Sequence, residues 1–300
     1  MAIKAFGQCV SANVEAVPMT PLAYHEPESL DRALKLLADI EGARCIAGGQ
    51  TLVAMLNAGL VEPPALVSLA RIAELAKIAR GPGGALRIGA TVTHEAVTES
   101  DDVARDFPLI AQAARAIAHP AIRSFGTIGG AVAHGDPNAD YPAALVASDA
   151  EIEIASGVRR RSVPAGEFFR DYLTTALEPG EIVVAVVIPA PPAGARGLYL
   201  KFARVDGDYA TLSVAALLAR KDGACTHLAV ALGSAGSVPV RDRNAEKKRI
   251  GKKLDDAAIA ELGTALAARC DPVDDVRGSS AYRRGLVPGL VAKTLKILSA

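Results

Sequence analysis

Apolar residues first recur at helical spacing at Leu30, Ala33, Leu34 and Leu37, which fall on one face. Ser29, following Pro27-Glu28, suits the N-cap of that helix. The pattern then shortens. Cys45-Ile46-Ala47 reads as a short buried strand, residues 52–60 as an apolar helix, and Leu66-Val67-Ser68-Leu69 as another strand. Residues 74–79 and 85–91 flank Gly81-Pro82-Gly83-Gly84, which predicts a hairpin. Residues 106–118 have helical spacing with an alanine-rich face, and His119-Pro120 ends them because proline disfavours a helical residue before it. A helix over 141–147 and a strand over 151–155 follow. A β-branched strand over 180–189 is closed by a proline-rich loop at 190–194. Strands over 198–204, 212–220 and 227–232 precede helices over 255–269 and 286–298. The order predicts an α+β chain, with a boundary near 180 and a second part built as a sheet followed by helices on one side. Residues 1–20 lack a clear period and read as an extended lead-in.

The length of 300 residues favours two domains, and 50% hydrophobic residues suffice for a core in each. With 33 basic and 33 acidic residues the formal net charge is +0, which argues against a broad nucleic-acid surface. Apolar runs such as 182–188 are too short to span a bilayer, and no hydrophobic run follows Lys4, so a cytoplasmic chain is expected. Cys9, Cys45, Cys225 and Cys270 lie far apart and read as ordinary thiols. The five histidines show no paired metal spacing, so no metal is assigned to this chain.

Two glycine-rich segments carry the candidate chemistry. One is Ala47-Gly48-Gly49-Gln50-Thr51-Leu52. The other starts Thr127-Ile128-Gly129-Gly130 and runs to Asp140. Each runs towards a helix-like stretch, where glycine admits close approach and free amides bind anionic oxygens. Two such segments could grip one ligand with two phosphates, and each also suits a plain strand–helix turn. Gly-x-Gly-x-x-Gly, Gly-x-x-x-x-Gly-Lys-Ser/Thr and Gly-x-Ser-x-Gly are all absent, which removes the common dinucleotide, P-loop and hydrolase signatures. Asp140 suits a sugar or ribityl hydroxyl, and equally a cap on the helix over 141–147. Lys201, between apolar neighbours on a predicted strand, either snorkels to solvent or meets a polar ring or phosphate. Tyr209 ends the charged turn Arg204-Val205-Asp206-Gly207-Asp208-Tyr209 and could cover a planar ring or pack on its own loop.

Together with Asp275-Val276-Arg277-Gly278-Ser279-Ser280-Ala281-Tyr282-Arg283-Arg284, these segments make residues 20–300 resemble the FAD-binding medium subunit of molybdenum hydroxylases. That family is of the aerobic carbon monoxide dehydrogenase and xanthine dehydrogenase type. The resemblance implies a two-lobed FAD domain of the vanillyl-alcohol-oxidase (PCMH) type over 1–180, including the lead-in. A smaller α+β carbon monoxide dehydrogenase flavoprotein C-terminal domain would occupy 181–300. It implies that residues Ala47 to Leu52, with Ile46 beside them, and Thr127, Ile128, Gly129 and Gly130 hold the FAD pyrophosphate by backbone amides. Asp140 would bind a flavin-side hydroxyl, Ile117 and Val184 would line the cofactor, Lys201 would lie near the flavin and Tyr209 would shield its ring. Lys201 would favour anionic reduced flavin by charge attraction.

By the same resemblance the chain would be an electron-transfer subunit with no catalytic acid–base residue of its own. Electrons would come from [2Fe-2S] clusters on a small partner subunit, after hydroxylation at a molybdenum cofactor on a large one. They would leave FAD for quinone, NAD or oxygen. A dimer of heterotrimers is the expected assembly. The sequence departs from the family at Ala131, where asparagine is common. Two other readings stay open: a free-standing FAD oxidase, and an assembly module that has lost FAD, to which Ala131 points.

Overall fold

The computed structural model describes residues 22–300; the lead-in expected over 1–20, with Lys4 and Cys9, lies outside the described residues. The chain begins with β1 (Ala23–His25), α1 (Leu30–Asp39), β2 (Arg44–Ile46), α2 (Leu52–Asn57) and β3 (Ala65–Ser68). The three strands form a parallel sheet in the order β1-β3-β2. The Ser29 hydroxyl accepts from the Arg32 amide and caps α1, whose Leu30, Ala33, Leu34 and Leu36 are buried. They pack with Val67, Leu75 and Ile182 to make the core of this small lobe.

A 3-10 turn over Ala73–Ala76 leads into β4 (Ile78–Arg80) and β5 (Leu86–Gly89), so the expected hairpin forms with a shorter first arm. Then come α3 (His94–Glu99), α4 (Asp101–Asp106), α5 (Pro108–Ala116), α6 (Pro120–Arg123), α7 (Ile128–His134) and α8 (Asp140–Ala147). The helix expected over 106–118 forms as α5, two residues shorter at each end. Phe107 leaves helical geometry at φ −130°, ψ 53°, and Pro108 starts α5, where its fixed φ suits the first turn. That helix stops at Ala116, and Ala118 turns left-handed at φ +38°. Beyond α8 lie β6 (Glu151–Ala155), β7 (Arg160–Pro164), α9 (Ala165–Phe168), β8 (Phe169–Asp171), β9 (Thr174–Thr175) and β10 (Ile182–Ile188). An antiparallel sheet runs β4-β5-β10-β6-β7. The boundary expected near 180 therefore falls ahead of the middle strand of a sheet whose other members all precede it. Pairing on both edges keeps β10 with the amino-terminal part.

The remainder comprises β11 (Arg196–Phe202), β12 (Leu212–Lys221), β13 (Ala224–Gly233), β14 (Val240–Arg241), α10 (Arg243–Lys247), α11 (Asp256–Arg269) and α12 (Ser280–Ser299). Its antiparallel sheet follows sequence order. Successive side chains point to opposite faces. Tyr199, Ala215, Leu217, Ala229 and Ala231 join the core built around α5 and α8. Val214, Ala216, Leu218, Val230 and Leu232 pack beneath α11 and α12. Burial on both faces explains why β12 reads as a near-continuous apolar run rather than an alternating one. The sheet thus fastens the carboxy-terminal helices to the amino-terminal helices, and it brings β11 to the edge of the glycine segments.

Candidate cofactor site

The two glycine segments meet. A β-carbon at Gly48 would lie 2.6 Å from the Phe125 carbonyl carbon and 2.9 Å from the Gly126 α-carbon, so only glycine permits this backbone contact. Gly49 has φ +72° and turns the chain into α2. Among the described residues, no main-chain amide of residues 47–52 donates to another backbone carbonyl or to a side chain. Ala47, Gly48, Gly49, Gln50, Thr51 and Leu52 thus present consecutive unspent donors. Gln50 and Thr51 are exposed, and Ile46 lies under the turn, with its Cδ1 near the Gly49 position.

The second segment is spent differently. Thr127 caps α7, its hydroxyl accepting from the Gly130 amide at 3.1 Å. The Ile128 amide donates to the Val92 carbonyl at 3.0 Å and the Gly129 amide to that of Ala90 at 2.9 Å. Three of the four amides expected to hold phosphate are therefore occupied by the protein, because the segment is tied to the chain after β5. Its glycines serve approach instead. A β-carbon at Gly129 would sit 2.6 Å from the Ala90 carbonyl oxygen, whereas Gly130 is exposed and meets only the Thr127 hydroxyl, at 3.0 Å.

Asp140 sits at the start of α8 but does not cap it. Its buried carboxylate accepts from the Tyr199 hydroxyl at 2.7 Å and from Lys201 Nζ at 3.1 Å, while Lys201 also donates to the Ala116 carbonyl at 2.7 Å. Side-chain exposures of 7% and 11% make this a buried ion pair. Burial pushes the Asp140 carboxyl up from its usual range, against the attraction of Lys201 and the hydrogen bond from Tyr199. Lys201 thus brings little net charge to its surroundings. The pair joins β11 to α8 and to the end of α5. Tyr199, which the sequence does not single out, lies two residues before Lys201 on the same strand face, and that period of two is the signal that links them.

Ile117 follows α5 and is partly buried against the main core. Val184 is 1% exposed within the small-lobe core, among Leu34, Val67 and Leu75, so its side chain faces packed neighbours rather than an open cleft. Its carbonyl accepts from Ala90, whose own carbonyl holds Gly129, so Val184 supports the second segment through two backbone bonds. Tyr209 is 46% exposed at the end of its turn, and the Arg277 guanidinium lies 5.1 Å from the ring centroid. Burial, and after it the Asp136 carboxylate of the second glycine segment, raise the phenol's pKa. Gly207, φ +82°, brings this turn against the His119 ring and the Ala118 carbonyl.

The carboxy-terminal signature braces the same turn. Arg277 pairs with Asp208 at 2.8 Å, and the Arg277 carbonyl accepts from Thr211. Arg283, 2% exposed, pairs with Asp275 at 2.5 Å and reaches the Ser234 carbonyl at 3.3 Å. Asp275 belongs to the motif itself, whereas Asp208 and Ser234 lie 69 positions before Arg277 and 49 before Arg283, beyond the reach of local pattern. A separate cavity of about 170 Å³ opens among Phe107, Leu109, Pro189, Leu217 and His227. None of the candidate site residues lines it. The candidate site is a row of unspent donors, part-buried except at Gln50 and Thr51, rather than an enclosed void.

Fold and site together define a two-domain binding protein that offers anionic oxygens a glycine cradle and offers a planar group an aromatic turn. Residues 18–191 match the model described as FAD binding domain in molybdopterin dehydrogenase, and residues 197–298 match the CO dehydrogenase flavoprotein C-terminal domain. The chain is 35% identical to the 6-hydroxypseudooxynicotine dehydrogenase complex subunit alpha of Paenarthrobacter nicotinovorans, covering 91% of this chain and 92% of that one. It is 33% identical to the carbon monoxide dehydrogenase medium chain of Hydrogenophaga pseudoflava, covering 91% and 95%. Among solved structures, reconstituted CO dehydrogenase from Oligotropha carboxidovorans superposes with a TM-score of 0.90 at 34% identity, covering 93% of this chain and 98% of that chain. The chain belongs to the family of FAD-binding medium subunits of molybdenum hydroxylases, which are oxidoreductases with FAD as the cofactor of this subunit. The residues present fit that group: a run of unspent amides stands where glycine alone admits the second segment, and Gly130 leaves open surface beside it.

Proposed function

We propose that this chain is the electron-output subunit of a multi-subunit molybdenum hydroxylase. FAD supplies the chemistry, taking electrons singly and releasing them in pairs. The protein's part is to bind, orient and tune. The amides of Ala47 to Leu52 hold the pyrophosphate. Thr127, whose amide lacks a backbone acceptor among the described residues, adds one donor, and Gly130 leaves room for the ligand. Tyr209 covers the ring on a turn stiffened by Arg277. Asp140 and Lys201 fix the strand and helix behind the flavin, with Ile117 lining it. Val184 acts through the backbone.

In this reading the amino-terminal part is a two-lobed FAD domain of the vanillyl-alcohol-oxidase (PCMH) type. It gives way to the C-terminal flavoprotein domain within residues 192–196, after β10 rather than before it. Electrons arrive from [2Fe-2S] clusters on a small subunit, downstream of a molybdenum cofactor on a large one. They leave to quinone, NAD or oxygen, from a cytoplasmic dimer of heterotrimers. Among the described residues no helix is long and apolar enough to cross a membrane. The observation that carries the proposal is the run of amides 47–52 with no protein acceptor, held against Gly126 in a chain of this family.

The test is purification of the native assembly with its visible spectrum and partner masses. A flavin and iron–sulfur spectrum with two partner chains is expected. A solitary colourless chain that takes up no FAD would sink the proposal.

A further inference from the structure

Four consecutive carbonyls at the end of α5 are held by two cations from elsewhere. Lys201 takes that of Ala116 at 2.7 Å. Arg123 Nη1 reaches those of Ile117 at 3.1 Å, Ala118 at 3.4 Å and Arg115 at 3.4 Å. Its Nε is fixed by Glu95 at 3.0 Å, and its side chain is 14% exposed. A helix leaves its last carbonyls unpaired, and a planar guanidinium satisfies several at once where an ammonium meets fewer. The chain here is also strained. Ala118 takes φ +38°, a left-handed conformation that costs an ordinary residue free energy and persists only where the surroundings enforce it. Against this bend stands the Tyr209 turn: a β-carbon at Gly207 would be 3.0 Å from the Ala118 carbonyl oxygen and 2.5 Å from the His119 ring.

We propose that Arg123 is a positioning residue of the cofactor site. Held by Glu95, it locks the bend at Ile117 and Ala118, and that bend sets the height of the Tyr209 turn over the flavin. The inference rests on the FAD reading above, and it gives Arg123 a part in cofactor binding without contact to the cofactor.

The test uses the full chain, freed of FAD, with R123A, R123K and E95Q. FAD affinity and the fluorescence of bound flavin are measured by titration, and amide hydrogen exchange is followed on the FAD-free chains. R123A is expected to bind FAD about tenfold more weakly, roughly the worth of one hydrogen bond to a charged group. Its bound flavin should fluoresce more, because the quenching tyrosine is less well placed. Exchange should quicken at 117–119 and at 205–209 and stay unchanged in α11 and α12. R123K should fall between wild type and R123A. It carries the test if R123A does not fold, since it keeps the charge and loses the fork. Wild-type affinity and exchange in a folded variant would overturn the inference, as would exchange that quickens uniformly. If the wild type itself takes up no FAD, the cofactor reading fails and this inference falls with it. A failed clamp in a chain that still takes up FAD overturns this inference and leaves the cofactor reading standing.

Discussion

The backbone at Gly48 presses on the carbonyl carbon of Phe125, 77 positions later, closely enough that a β-carbon would lie 2.6 Å from it. Neither atom belongs to a flexible side chain, so the backbones must part to admit a methyl group. Gly48→Ala should therefore lose about 1–3 kcal/mol of stability, the usual cost of overpacking, and should lose FAD retention with it. Gly130→Ala is the contrast. Helical geometry and a single close neighbour, the Thr127 hydroxyl, should leave stability within about 1 kcal/mol of wild type, while FAD binding falls because the methyl group enters ligand space. Urea midpoints beside flavin content measure both, and parallel loss in the two variants would refute the division of roles.

Asp140 and Lys201 should behave as a pair. Asp140→Asn strands a buried ammonium and should cost about 3 kcal/mol, whereas Asp140→Asn with Lys201→Met should recover part of that loss. Lys201→Met alone leaves the carboxylate uncompensated beside the proposed flavin position, so the midpoint potential should fall. The double variant should lie nearer the wild type. Potentiometric titration of the four proteins checks the order.

His94 introduces an acid-side loss of stability. Its ring is 5% exposed, it backs Gly126, and burial together with nearby Arg123 lowers its pKa to about 4. The unfolded chain takes up a proton near pH 6.5 that the folded chain refuses until about pH 4, so this contribution is full above pH 6.5 and is lost as pH falls. The span is on the order of 3 kcal/mol. Denaturation at pH 7, 6 and 5 should show a steeper decline for wild type than for His94→Gln, and equal slopes would contradict the assignment.

Arg277→Met should hardly change stability, because its ion pair with Asp208 is a quarter exposed and such pairs contribute about 0–1 kcal/mol. The bound flavin should nevertheless fluoresce more, since Tyr209 loses the guanidinium over its ring. Unchanged emission would mean that the tyrosine does not cover the flavin.

Much of this was legible in the sequence because it is local. The Ser29 cap, the strand over 151–155, the strand expected over 180–189 and found at 182–188, and the sheet-then-helices order of the carboxy-terminal part follow from periodicity and capping chemistry. The apolar spacing over 106–118 marks α5 but neither of its ends, which are set by Pro108, whose fixed φ suits a first turn, and by the left-handed turn at Ala118. The glycine pairs were visible as sites of close approach, but not which neighbour each approaches. Gly48 faces Phe125 and Gly126, and Gly129 faces Ala90. The spending of the Ile128 and Gly129 amides on Val92 and Ala90 is likewise non-local. So is the occupation of Asp140 by Tyr199 and Lys201, since nothing near Asp140 in sequence announces a lysine 61 positions later.

The sheet of the carboxy-terminal part has no free face: Ala215 and Leu217 lie in one core, and Val214 and Ala216 in the other. Sequence families divide the chain into two modules, but thermodynamics has little to divide. A fragment ending near residue 191 would expose the flanks of α5 and α8 that β11, β12 and β13 cover, and a fragment beginning there would bare half its sheet. Neither piece should fold as an independent protein, and the whole should melt in a single calorimetric transition. Evolution can therefore lengthen or reshape the surface loops of such a subunit one at a time, but it must inherit the two modules together.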